Sequence, residues 1–170
     1  MTRYVALLRA VNVGGTGKLP MTELKAMAEA EGFEQVRTYI ASGNLVFESR
    51  LSEADVKAAL ERRLAAYAGK SVGVMVRTAA ELKALLDANP FADTPGNRAV
   101  AIFLDQTPPA GALDHLRGQA DEQAVLGARE IYVHYPSGQG RSKLRIPAAK
   151  AGTARNMNTV AKLCAMAAEP

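Results

Sequence analysis

Residues 36–47 read Val36-Arg37-Thr38-Tyr39-Ile40-Ala41-Ser42-Gly43-Asn44-Leu45-Val46-Phe47, and this run predicts a β-hairpin. Apolar, aromatic and β-branched side chains are frequent over residues 33–40 and again over 45–47, as expected of two strands. Between them, Ser42-Gly43-Asn44 supplies three residue types that favour a tight turn. The two strands should therefore pair antiparallel, and the neighbouring elements can be placed around them.

The elements on either side of the hairpin complete the order β-α-β-β-α-β. Residues 4–8 form a continuous apolar run that predicts a buried strand. Apolar residues at helical spacing predict a helix within residues 20–32 and another from Ser52, as the N-cap, to Gly69. A further strand is expected over residues 71–76. This order is that of a ferredoxin-like unit.

The second half of the sequence has a related pattern. Thr78 is the expected N-cap of a helix ending at Leu86, and the uncharged residues 99–104 predict a central strand. A short helix is expected after Pro108-Pro109, up to Leu116. Residues 123–126 and 130–135 predict a second hairpin, and Thr153 is the expected cap of a last helix ending near residue 167.

The chain is therefore predicted to be an α+β protein. We expect two ferredoxin-like βαββα(β) halves, over residues 1–77 and 78–170, in which helices cover antiparallel sheets. A single cysteine in 170 residues favours a reducing compartment. No apolar run approaches the roughly 20 residues that cross a bilayer. We expect a cytoplasmic protein that is not bound to a membrane.

The positive charge of the chain is concentrated near its C-terminus. The net charge is +4, and no Asp or Glu occurs between Ile131 and Ala168. Such a region attracts anionic partners, although a solvated basic surface without a partner explains it equally well. The basic residues of this stretch are Arg141, Lys143, Arg145, Lys150, Arg155 and Lys162.

A glycine-rich loop between Asn12 and Lys18 is the first candidate for ligand binding. It is not a P-loop, because Leu19 follows Gly17-Lys18 where Ser or Thr is required, and Pro20 excludes the dinucleotide-binding pattern. Backbone N–H groups of such a loop can still bind an anion, with the help of Lys18. The alternative is a plain connection from strand to helix.

Two further groups of polar residues are candidates. Arg37, Ser42 and Asn44 lie on or beside the first hairpin, where arginine can hold a phosphate; the alternative is turn chemistry with a surface charge. The third group joins the start of the last helix to the preceding loop, and its amides and cations suit an oxyanion. The alternative is an ordinary amphipathic helix. This third group is Arg141, Lys143, Arg155, Asn156 and Asn158.

Catalytic and metal-binding patterns are weak. The two histidines, His115 and His134, and the scattered carboxylates do not have metal-ligand spacing. Cys164 lies on the apolar side of a predicted helix, where a packing role is more typical than that of a nucleophile. We therefore expect no metal and no cofactor.

Distinctive motifs occur over residues 4–15, 18–21, 36–47, 89–91, 134–144 and 153–160. Together these segments resemble the domain-of-unknown-function family 1697. One departure is Met157, where the family pattern usually has Trp. The resemblance implies two α+β halves and a cytoplasmic, bacterial-type protein, and it implies no established activity.

The motif positions of this family coincide with the three candidate groups. The favoured hypothesis is a basic cleft between the halves that binds an anionic ligand: a nucleotide, a phosphorylated metabolite or a nucleic acid. A metal-independent enzyme acting on a phosphorylated substrate and a structural, self-associating module are the alternatives. Oligomeric state is not predicted. The candidate ligand-binding residues are Arg9, Asn12, Lys18, Arg37, Ser42, Asn44, Arg141, Lys143, Arg155, Asn156 and Asn158.

Overall fold

A computed structural model describes residues 1–12 and 18–169. These residues contain eight strands and four α-helices, so the predicted α+β class is confirmed. The strands are β1 (Thr2–Leu8), β2 (Glu34–Thr38), β3 (Asn44–Ser49), β4 (Val74–Thr78), β5 (Ala99–Phe103), β6 (Gln123–Leu126), β7 (Glu130–His134) and β8 (Thr153–Asn156). The helices are α1 (Met21–Ala30), α2 (Glu53–Ala68), α3 (Ala79–Asp87) and α4 (Met157–Ala168).

The chain forms two compact units. Unit 1 comprises Met1–Lys83 and Leu163–Pro170, and unit 2 comprises Ala84–Lys162. The boundaries thus fall within α3 and α4, whereas the sequence placed one boundary near Arg77. The division into one domain over residues 1–77 and another over residues 78–170 stays a prediction.

Unit 1 contains a four-stranded antiparallel sheet with the order β2-β3-β1-β4. One face of the sheet carries small and branched apolar residues, such as Ala6 opposite Leu45 and Val76. Helix α1 lies against β2 and α2 lies against β4. Leu24 and Leu60 from these helices are fully buried in the same core. The predicted β-α-β-β-α-β order of this half is confirmed.

Local signals in the sequence place the helix ends of unit 1. The Ser52 hydroxyl accepts a hydrogen bond from the Asp55 amide at 3.2 Å, and Gly69 ends α2 with a φ of 70°. Thr78 and Glu81 form a reciprocal capping box at the start of α3, with bonds of 3.1 and 2.9 Å. The caps predicted at Ser52, Gly69 and Thr78 are confirmed.

Unit 2 contains a second antiparallel sheet with the order β6-β7-β5-β8. Strand β5 lies between β7 and β8, as its uncharged sequence predicted, and β6 and β7 form the predicted hairpin. On one face, Val100 lies opposite Val133 and Ile102 lies opposite Ile131. The irregular segments that contain Leu113, Leu116, Leu144 and Ile146 pack against this apolar cluster.

The short helix expected after Pro108-Pro109 is absent, and this prediction is wrong. The segment makes single turns instead, with bonds from Ala112 N to Pro109 O at 2.9 Å and from Asp114 N to Gly111 O at 3.0 Å. Prolines and a glycine leave too few consecutive residues to repay the cost of starting a helix. Its apolar residues are partly buried in the core of unit 2 all the same.

The cap predicted at Thr153 is also wrong. Thr153 is the first residue of β8 and lies opposite Phe103 of β5. The cap of α4 is Asn156, whose side-chain oxygen accepts a bond from the Thr159 amide at 2.9 Å. Asn is among the strongest N-cap residues, so the helix starts where its side chain can satisfy this amide.

Gly43 allows the first hairpin to approach β1. Its φ is +90°, and a Cβ there would lie 2.8 Å from Val11 Cγ2 and 2.9 Å from Leu8 Cβ. Its carbonyl accepts a 2.9 Å bond from the Leu8 amide. The glycine is therefore required by both backbone conformation and space.

We expect Gly43→Ala to destabilise the protein more than Gly32→Ala, measured as the free energy of unfolding in urea. Gly32 has a φ of +82° but nothing within 4 Å of its Cβ position. Its replacement should cost about 1–2 kcal/mol of backbone strain, whereas overlap at Gly43 adds about 1–3 kcal/mol. Equal losses for the two variants would contradict this account of the hairpin.

Candidate functional site

Unit 1 contains a cavity of about 240 Å³. Most of its lining is apolar. The lining residues lie beside the glycine loop, at the end of α2 and in the segment before β4. Leu64 is only 1% exposed, so the floor of the cavity belongs to the core. The lining residues are Ala10, Val11, Asn12, Lys18, Leu19, Leu64, Tyr67, Ala68, Lys70 and Val72.

The polar groups of this cavity are positively charged or neutral. Lys18 and Lys70 are both exposed side chains on its lining, and Tyr67 is 47% exposed. None of the described lining residues is Asp or Glu. The cavity thus combines an apolar interior with two ammonium groups.

Asn12 holds the wall of the cavity together. Its side-chain nitrogen donates to the carbonyls of Leu19 at 3.0 Å and of Ala41 at 2.8 Å, and its oxygen accepts from the Leu19 amide at 2.6 Å. The residue has a φ of 54°, which Asn tolerates better than most residues. Asn12, predicted to bind a ligand, therefore positions Leu19 and the hairpin turn. The proposed anion cradle at residues 14–17 lies outside the described residues.

The polar side chains of Ser42 and Asn44 form hydrogen bonds within the first hairpin. Asn44 is fully buried, and its side-chain nitrogen donates to Tyr39 O at 2.8 Å and to Ser42 Oγ at 2.9 Å. These bonds are the turn chemistry that was the alternative reading of Ser42 and Asn44. Arg9 is exposed, and its backbone amide donates to Gly73 O at 2.9 Å.

Arg37 lies at the C-terminal end of α4. Its guanidinium donates to the Met166 carbonyl and forms an ion pair with Glu169. Arg3 on β1 donates to Ala167 O at 2.8 Å and to a Glu48 carboxylate oxygen at 2.7 Å. The last carbonyls of a helix lack intrahelical donors, and these two arginines donate to carbonyls at that end of α4.

Unit 2 contains a larger cavity of about 520 Å³. Arg141 and Lys143 lie on its lining, as side chains of the predicted basic region. A second part of the lining comes from the segment that begins at Gly118. The lining residues are Gly118, Ala120, Asp121, Glu122, Tyr135, Ser137, Gly138, Arg141, Ser142 and Lys143.

Backbone contacts join the two walls of the unit 2 cavity. Arg117 and Arg145 exchange backbone hydrogen bonds of 3.0 and 2.7 Å. Gly118 has a φ of +68°, and a Cβ there would lie 2.2 Å from Lys143 O. The glycine lets the two segments approach closely, so the cavity wall is fixed by backbone geometry.

Two serine–carboxylate pairs lie on the lining of the same cavity. Ser137 Oγ donates to Asp121 Oδ2 at 2.6 Å, and Ser142 Oγ donates to Glu122 Oε2. Glu122 Oε1 accepts a further bond of 2.6 Å from the Ala120 amide. The Ser142 hydroxyl and then this amide lower the pKa of Glu122, because both stabilise the carboxylate. Burial, and next the charge of Glu122, raise the pKa of Tyr135.

The remaining predicted residues support β8 and α4. Arg155 is buried and donates to Thr153 Oγ1 at 2.8 Å and to Ala154 O at 3.0 Å. Burial lowers the pKa of Arg155 to about 10, so it stays protonated at neutral pH. Asn156 caps α4, and Asn158 lies so close to Gly96 that a Cβ there would be 2.0 Å from its Oδ1.

Each cavity thus includes two of the predicted residues: Asn12 and Lys18 in unit 1, Arg141 and Lys143 in unit 2. Lys70 of the first cavity and Asp121 and Glu122 of the second were not predicted from the sequence. The only local signal was negative charge shortly before the acid-free stretch. In the described ranges, 1–12 and 18–169, no group of His, Cys, Asp and Glu could hold a metal ion, and no helix could span a membrane.

The lowered pKa of Glu122 predicts a loss of stability in acid. The ionised form is favoured on folding, so its contribution is present above the ordinary value of 4.5 and lost as the pH falls through the lower folded-state value. We expect unfolding in urea to depend less on pH below 4.5 for Glu122→Gln than for the unchanged protein. Glu29→Gln, an exposed change on α1, serves as the control.

A carboxyl NMR titration measures the same quantity directly. A pKa of Glu122 at or above 4.5 would contradict the assigned hydrogen bonds. So would identical acid dependence of unfolding in the Glu122→Gln variant and the unchanged protein.

Comparison with known proteins agrees with the fold. The solved structure of the conserved bacterial protein SP0830 from Streptococcus pneumoniae is similar over 98% of this chain and 98% of that one, with a TM-score of 0.81 and 27% sequence identity. No curated protein sequence matches the chain significantly. The model of a family described as proteins of unknown function, DUF1697, matches residues 1–132. The resemblance noted in the sequence is confirmed, and the chain belongs to this family.

Proposed function

We propose that the cavity of unit 1 binds a small anionic molecule with an apolar or aromatic body, such as a nucleoside monophosphate. The observation that carries the proposal is the pairing of apolar walls with Lys18 and Lys70 and no acidic residue among the described lining. A phosphate monoester carries about −1.5 to −2 charges at pH 7, so two ammonium groups match it.

The shape of the cavity supports a small ligand over a nucleic acid. Its volume of about 240 Å³ is just below the range of about 300–1,000 Å³ typical for whole drug-sized ligands. The cavity is large enough for the base of a nucleotide, and the phosphate would then lie outside it, beside the exposed Lys18 and Lys70. Tyr67, whose ring is partly exposed, offers a face on which the base can stack.

Binding is proposed rather than catalysis. The described lining contains no carboxylate, histidine, cysteine or serine, and its lysines and tyrosine are assigned to the phosphate and the base. Lysines and backbone amides stabilise charge, which serves recognition as well as it serves a reaction. The hypothesis that all the candidate residues share one cleft stays a prediction.

The proposal also covers the class and location of the protein. The β2-β3-β1-β4 order supports a ferredoxin-like class for unit 1. The single cysteine supports a cytoplasmic location, and the similarity to a streptococcal structure supports a bacterial protein.

The test is a calorimetric titration of the full chain with adenosine 5′-monophosphate, adenosine and inorganic phosphate. We expect the nucleotide to bind most tightly, because only it fills the cavity and reaches both lysines. Replacement of Lys18 and Lys70 by Met should weaken nucleotide binding by roughly tenfold or more, which corresponds to about 1.4 kcal/mol. Affinity should also fall as the salt concentration rises.

Lys25→Met is the matched control, since Lys25 is an exposed lysine of unit 1 on α1, outside the cavity lining. It should leave the affinity unchanged. Equal losses in the control and the double variant, or equal binding of adenosine and its monophosphate, would refute the proposal.

A further inference from the structure

We propose that the cavity of unit 2 is a second, separate site that binds a small zwitterion, a molecule with an ammonium group and an anionic group. This inference does not depend on the function proposed for unit 1. It rests on the opposite charges that the fold brings to one lining.

The charges of the two cavities differ in kind. The unit 2 lining contains Asp121 and Glu122 together with Arg141 and Lys143, whereas the described lining of the unit 1 cavity contains lysines without acids. A simple anion entering the unit 2 cavity would meet two carboxylates, and a simple cation would meet two basic side chains. A ligand with both charges can pair with both kinds of group.

The Ser137–Asp121 pair supplies the oxygens that take the ammonium group. In the 2.6 Å contact between Ser137 Oγ and Asp121 Oδ2, the serine must donate, because an ionised carboxylate only accepts. The Ser137 oxygen therefore retains lone pairs, and Asp121 retains further acceptor positions. Hydroxyl and carboxylate oxygens side by side suit an ammonium group, which has three donors.

The basic side chains of the lining suit an acidic group. Arg141 and Lys143 are exposed side chains on the same lining, one on each side of Ser142. Ser142 itself is held by Glu122 and accepts a 3.1 Å bond from the Leu144 amide. The segment that presents the two cations is thus fixed at its centre.

Preorganisation distinguishes this cavity from a chance grouping of surface charges. The Arg117–Arg145 backbone bonds and the close approach of Gly118 to Lys143 hold the walls before any ligand arrives. Rigid walls reduce the entropy that binding must overcome. The volume of about 520 Å³ lies within the range typical of ligand sites. A dipeptide or an aminoalkyl phosphate is of suitable size.

The test uses NMR titrations of the isotope-labelled full chain with two probes, L-alanyl-L-alanine and O-phosphoethanolamine, at concentrations up to about 10 mM, well above a Kd of about 1 mM. N-acetyl-alanyl-alanine lacks the ammonium group, and alanyl-alanine amide lacks the carboxylate. We expect the zwitterion to bind at least about tenfold more tightly than either derivative, with shifts concentrated on the lining residues. The two probes distinguish a carboxylate ligand from a phosphate ligand.

Variants assign the roles of the acidic and the basic side chains of the site. Asp121→Asn keeps the side-chain shape, and Ser137→Ala removes the hydroxyl; each should weaken zwitterion binding about tenfold and leave weak binding of the acetylated derivative unchanged. Lys143→Met should weaken the binding of both the zwitterion and the acetylated derivative. Lys162→Met, an exposed lysine of unit 2 outside the lining, is the control.

Failure of both probes to bind would overturn the proposal, as would unchanged affinity in Asp121→Asn and Ser137→Ala, or shifts confined to unit 1. Spectra of the unliganded variants show whether each is folded. Nucleotide binding to unit 1 is unaffected by these outcomes, so the two proposals fail separately.

Discussion

The side-chain amide of Asn12 is the contact on which the candidate site of unit 1 depends. Three hydrogen bonds, two to Leu19 and one to Ala41, join the end of β1, the residues before α1 and the turn of the first hairpin. Each bond contributes only about 0.5–1.5 kcal/mol, but together they fix segments that regular secondary structure does not connect. Asn12 therefore holds the wall of the cavity together, and most of the hydrogen-bonding capacity of its side chain is used within the fold.

Much of the fold could be predicted because its signals are local. The first hairpin, the caps at Ser52 and Thr78 and the helix stop at Gly69 follow from backbone preferences of single residues. The prediction failed where tertiary contacts decided between options. Leu113 and Leu116 have helical spacing but pack in turns, and Thr153 pairs in a sheet while Asn156, a second good cap, starts α4.

The candidate sites could be predicted only in part, because the charges around a site come from residues that are distant in the sequence. The acid-free stretch from Ile131 to Ala168 indicated a purely basic region. In the folded chain Asp121 and Glu122 lie beside this stretch, because Ser137 and Ser142 within it donate hydrogen bonds to their carboxylates. Arg37, which suggested a phosphate ligand, instead satisfies a helix end more than 120 residues away. Neither pairing has a local pattern, so sequence reasoning identified Lys18 and Lys143 but not their surroundings.

Hydrogen exchange of the Leu19 amide in an Asn12→Gly variant tests this account most directly. Glycine accepts the φ of 54° without strain, so the change removes the three hydrogen bonds and little else. The account predicts that the Leu19 amide exchanges at least about tenfold faster, corresponding to about 1.4 kcal/mol, while the Leu64 amide in α2 exchanges at its former rate. An unchanged rate at Leu19 would show that Asn12 does not hold the cavity wall.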